Sequence, residues 1–63
     1  MLKLLDVVHL KADDPDVGVF VKDTGTIVDV LSDGIYTVEF IDDKGHTNME
    51  ALAKVYCENE LAQ

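Results

Sequence analysis

Residues 25–47, GTIVDVLSDGIYTVEFIDDKGHT, constrain the fold more than any other stretch of the chain. Apolar and polar residues alternate through TIVDVL at 26–31, the chain turns at Ser32-Asp33-Gly34, and alternation resumes through IYTVEFI at 35–41. A second turn follows at Asp42-Asp43-Lys44-Gly45. A period of two in β-branched and aromatic residues marks strands with one buried face. The Asp-Gly pair supplies the positive φ that joins two such strands. The stretch is a β-hairpin, and the question is whether it carries a function or only a fold.

The flanking segments fill out an all-β reading. Met1 to Lys11 reads as a first strand with Leu4, Leu5, Val7, Val8 and Leu10 crowded together. Asp6 and His9 interrupt both a strict alternation and a helical stripe, so a bulged strand or a short helix fits there. Ala12 to Pro15 is a turn, because Asp and Pro favour turns and Pro cannot donate to a central ladder. Val17 to Lys22 returns as an irregular extended segment. After the hairpin, residues 46–56 read as a longer strand, although MEALAKV also suits a helical turn by propensity. Glu58 to Leu61 reads as a 3₁₀ or irregular tail with Leu61 tucked back. Four to five short antiparallel strands with turns between them make a small barrel in one domain.

A chain of 63 residues hides only about 60% of the surface its unfolded form exposes, so its stability is thin. It has no Trp, and its 48% hydrophobic content makes Val, Leu and Ile the main source of core. Five basic against thirteen acidic residues give a net charge of -8. Nucleic-acid affinity depends on Lys and Arg neutralising phosphates, so this charge disfavours a nucleic-acid partner. Solubility accounts for the acidity; a basic protein partner is the sharper alternative and mimicry of nucleic acid a remoter one. No apolar run approaches the ~18 residues of a membrane span, and residues 1–11 lack the cleavage site of a signal peptide. Cys57 is the only cysteine, which leaves no internal disulfide and fits a reducing cytoplasm.

Alternation places Tyr36, Val38 and Phe40 on the inner face of the hairpin with Val28 and Val30, and sends Ile27, Leu31, Ile35 and Ile41 outward beside Asp29 and Glu39. Four aliphatic side chains on neighbouring strands form a patch that seeks cover. The cover is either the Ala12 to Lys22 loop, the C-terminal tail, or a second subunit; bulges that re-aim these residues are the remaining explanation. Each covered aliphatic contributes about 1.5 to 3 kcal/mol relative to full exposure.

No motif names a reaction. His9, His46 and Cys57 match no zinc spacing, and as a nucleophile and base, Cys57 with either histidine would need a pocket that a chain this small has little room for. Asp13-Asp14-Pro15-Asp16 and Asp42-Asp43 lack the alternating ligands of a calcium loop and read as solvated turns. The four glycines, Gly18, Gly25, Gly34 and Gly45, stand one per turn. The residues point to no catalytic centre, no cofactor and no metal.

The segments LLDVV at 4–8, GTIVDVL at 25–31 and YTVEFIDDKGHT at 36–47 resemble a family of short bacterial proteins of unknown function with an SH3-like barrel. The pattern covers most of the chain and is built of fold-forming residues, so the resemblance implies a fold more than an activity. A looser similarity is to KOW-type SH3-like domains of the ribosome and transcription machinery. Those domains are generally basic, and this chain departs from them in charge. The sequence therefore leads to a non-enzymatic, cytoplasmic interaction module, a homo-oligomer through Ile27, Leu31, Ile35 and Ile41. The alternatives are an acidic inhibitor of a basic protein, in the manner of an antitoxin or immunity protein, and, further off, a small Cys/His enzyme.

Overall fold

The computed structural model describes residues 1–63. It contains five strands: β1 (Val7–Leu10), β2 (Gly25–Ser32), β3 (Ile35–Phe40), β4 (Val55–Cys57) and β5 (Leu61–Ala62). One four-residue helix, α1 (Met49–Leu52), and a 3₁₀ turn at Glu58–Glu60 complete it. All pairings are antiparallel, in one sheet of order β4-β3-β2-β1-β5. The all-β architecture with four to five strands expected from the turn spacing is the one observed. No helix is long and apolar enough to cross a membrane.

The hairpin forms as its sequence dictates, and Asp33-Gly34 connects Ser32 to Ile35 with Gly34 at φ +73°. Tyr36, Val38 and Phe40 all face the core, where Phe40 meets Tyr56 edge to face. The partner strand departs from the expected alternation. Ile27 is fully buried, while Val28 and Val30 are exposed, the reverse of the assignment made from periodicity. The cause is a pair of irregularities in the ladder: Ile27 opposes Val38 and Asp29 opposes Thr37, so Val28 has no partner; Val30 opposes Tyr36 and Ser32 opposes Ile35, so Leu31 has none. An extra residue in one strand shifts the parity of everything beyond it. Ile27, opposite Val38, thereby shares the inner face, and Asp29, opposite Thr37, stays in water; Val30 lies opposite Tyr36 and is exposed because no second strand flanks β2 at that point.

Gly25 closes the same inner face. It is buried opposite Phe40, and a Cβ there would lie 2.7 Å from Val38 Cγ1 and 2.8 Å from Phe40 Cε1. The residue thus serves close packing between β2 and the aromatic ring rather than a turn.

Three other segments settle differently from, or between, their sequence alternatives. The first strand begins only at Val7, because Lys3 to Asp6 forms a turn closed by Asp6 N–H donating to Lys3 O (3.0 Å) and Lys3 N–H donating to Asp6 Oδ2 (2.9 Å). Between β1 and β2 the chain reverses at Pro15 to Gly18 and is pinned by an Asp14–Val19 bridge, with Val19 buried. Residues 49–56 divide into helix and strand. Asn48 caps α1 by accepting from Ala51 N–H (3.0 Å), its Nδ2 donates to Val17 O (2.7 Å), and Ala51 is buried. The cap favours helix where propensity alone is ambivalent. The 3₁₀ turn and a buried Leu61 appear where the tail was expected to tuck back.

Candidate functional site

The site is defined by a strand that is sheltered on both sides at one end and bare on one side at the other. In the first part of β2, Thr26 opposes Val7 and Gly25 opposes Val8. One step further, Ile27 N–H donates to Asp6 O (3.0 Å) and Leu5 N–H donates to Ile27 O (2.8 Å). Beyond Ile27, residues Val28 to Ser32 hydrogen-bond to β3 alone. All five are exposed.

The bare edge follows from where the N-terminal segment goes. Tyr36 Oη donates to Glu58 Oε1 (2.5 Å) and lies 3.1 Å from Leu2 O, and Leu2 N–H donates to Glu58 Oε1 (3.2 Å). This cluster anchors Leu2 next to Tyr36, and the Lys3 to Asp6 turn carries the chain there instead of along β2. The turn requires Leu5 at φ +71°, the only non-glycine residue with positive φ. A leucine held in that region costs on the order of 1 to 3 kcal/mol. Leu4 and Leu5 stand exposed at the turn, beside the point where β2 loses its second neighbour.

The electrostatics of the region have one sign. From residue 23 to residue 43 the chain carries Asp23, Asp29, Asp33, Glu39, Asp42 and Asp43 and no Lys or Arg. Lys3, the base in the adjoining turn, is engaged 3.5 Å from Asp6. The Glu58 carboxylate, accepting from Tyr36 and from Leu2 N–H, is held below its ordinary value; the Tyr36 hydroxyl, donating to that carboxylate, is pushed up to about 12. The anchor is therefore a neutral phenol on an ionised carboxylate near neutral pH.

The four aliphatic residues singled out from the sequence separate in space. Leu31 lies exposed on the bare edge, and Ile35 is half-buried at the start of β3, between Ser32 and Cys57. Ile41 is exposed at the opposite end of the hairpin, bridged to Thr47, and Ile27 is in the core. Neither the 12–22 loop nor the tail covers Leu31 or Ile41, which are 51% and 54% exposed. Sequence reasoning missed Val28, Val30, Leu4 and Leu5. The sequence holds no signal for them: that eight residues of β2 face six of β3, with bulges and a changed parity, emerges only from the paired strands.

The polar candidates are dispersed. His9 is half-buried on β1 with Nδ1 3.0 Å from Leu10 O, His46 lies in the loop after β3, and Cys57 is exposed on β4. No three metal-ligating side chains come together. The acidic turns serve the backbone. Asp42 accepts from His46 N–H (2.8 Å) and Lys44 N–H (2.9 Å), which holds its carboxyl below the ordinary range. Asp13 accepts from Val21 N–H, and Asp14 pairs with Lys54.

A family model described as Domain of unknown function (DUF4926) matches residues 4–55, a span from the Leu4-Leu5 turn into β4 that includes the whole hairpin. No curated protein and no solved structure matches the chain.

Proposed function

Starting from a chain that belongs to the DUF4926 family of unknown function, we propose that it is a non-enzymatic protein-interaction module whose contact surface is the far half of β2 with the adjoining Leu4-Leu5 turn. Five short strands in one sheet support the SH3-like barrel that the sequence resemblance implies. A reducing cytoplasm suits its single exposed thiol. The observation that carries the reading is the run Val28 to Ser32: exposed, aliphatic at three positions, and unpaired on one side. Apolar groups displayed together on a domain this small are a docking surface in search of cover.

The charge favours a basic protein over a second copy. Two copies meeting at Leu31 and Ile35 would bring together two hairpins that each carry Asp29, Asp33 and Glu39 and no base, and like charges facing each other are destabilising. A basic partner gains from the same field in both encounter rate and specificity. An inhibitor that masks a basic protein is one form this module takes.

The reading is tested by placing a photo-crosslinking side chain at Leu31 and, for comparison, at Met49, which is also exposed. The expected outcome in cells is a discrete adduct with a basic protein from position 31 and not from position 49. Equal adducts from both positions, or none from position 31, defeat the proposal.

A further inference from the structure

We propose that the bare edge of β2, from Val28 to Ser32, is completed by an extended basic segment of a partner protein, which pairs with it as a sixth strand. The inference deepens the interaction-module reading and rests on it. Side-chain exposure alone would suit a helix or a flat surface equally well. The backbone decides: the amides and carbonyls of these five residues bond only to β3, so their remaining hydrogen-bonding capacity on the other side is open along about 17 Å of strand. An edge of this kind is the template for strand addition, in which main-chain bonds give affinity and alternate side chains give selectivity.

The occupant is chosen by charge. Asp29 lies within the edge and Asp33 directly beyond it, and between residues 23 and 43 no Lys or Arg offsets them. Soluble proteins often blunt an open edge with lysine; here the blunting charge is negative at Asp29. That choice repels a second acidic copy and admits a basic strand. Two-fold pairing of β2 with its own copy would set Asp29 against Asp29 or close to it. A strand of alternating basic and aliphatic residues presents Lys or Arg to Asp29 and Asp33 and apolar groups to Val28, Val30 and Leu31. Contact over five residues is small, so the pairing is weak and salt-sensitive unless Leu4 and Leu5 extend it.

The experiment uses the full chain and three synthetic heptapeptides: alternating lysine and valine, the same peptide with alternate backbone amides N-methylated, and alternating glutamate and valine. Amide hydrogen exchange and NMR shifts report on Val28 to Ser32, and sedimentation reports on the chain alone. The lysine peptide is expected to shift these five residues and slow their open-edge amides by about tenfold or more, with loss of the effect on N-methylation, in the glutamate peptide and in raised salt. Asp29→Lys is expected to weaken the response and leave the fold intact. Equal binding of the N-methylated peptide overturns strand pairing and leaves the interaction module standing. Absence of any response to the lysine peptide overturns the inference, and a dimer of the chain that protects the same amides assigns the edge to a second copy and overturns it as well.

Discussion

Gly25 to Ile27 and Val28 to Ser32 belong to one strand and face the same neighbour, β3, yet they do opposite work. The first three residues are bracketed by β1 and Asp6 on one side and β3 on the other, and two of them are buried. The next five keep β3 and lose everything else. What separates the halves is a single extra residue, Val28, together with the departure of the N-terminal segment at Leu5. The difference teaches that a strand's role is set by its second neighbour: valines and leucines of similar chemistry are core where the ladder continues and surface where it stops.

The comparison predicts that substitutions in the first half will cost stability and those in the second will not. Ile27→Ala leaves a cavity in a fully buried site and should cost about 2 to 5 kcal/mol. A domain this small has about 3 to 5 kcal/mol in total, so urea titration should find the variant largely unfolded. Gly25→Ala presses a methyl group into Val38 and the Phe40 ring and should cost about 1 to 3 kcal/mol, visible as a lowered midpoint in the same titration. A retained midpoint for either would break the distinction between the halves.

The anchor that diverts the N-terminus gives the comparison a pH dependence. Glu58 is held below its ordinary 4.5, so its contribution is present above that value and fades as pH falls through the depressed one. Tyr36 is raised from 10.0 to about 12, so its contribution is present below pH 10 and fades as pH rises through about 12. Thermal melts should therefore lose stability at both extremes, and Tyr36→Phe should flatten the alkaline arm. An unchanged alkaline arm in that variant would detach the hydroxyl from stability.

The smallest effect is expected at the bare edge. Leu31→Asp and Val28→Thr should each change stability by less than about 0.5 kcal/mol, as surface substitutions generally do, while abolishing the peptide response at residues 28–32. A large loss of stability in Leu31→Asp would mean that this half of the strand is structural.

The hairpin was legible because Asp33-Gly34, the alternation of Tyr36, Val38 and Phe40, and the β-branched residues around them all specify the same geometry. The register of β2 was not, since a period of two counted from Asp29 places Ile27 outside, and only the pairing partners reveal that Val28 and Leu31 are supernumerary. Asn48 carries a visible helix-starting signal, but the strand pattern before it masked the four residues of α1. Of the surface, Leu31 could be found as an outward aliphatic. Leu4 and Leu5 could not, because their exposure follows from the bond between Tyr36 and Glu58, 22 positions apart, and from the tether of Leu2 to Glu58 across 56.

That long-range tether has a counterpart in how the sheet must assemble. β1 and its outer neighbour, β5, are separated by the hairpin, α1 and β4, yet His9 comes to lie opposite Ala62 and Leu10 opposite Leu61. The hairpin closes on a two-residue turn, whereas the outer side of β1 is satisfied only when segments about fifty positions apart meet, a closure that costs more entropy and forms more slowly than a local one. Refolding from denaturant should therefore bring the hairpin together before β5 seals the far side of β1.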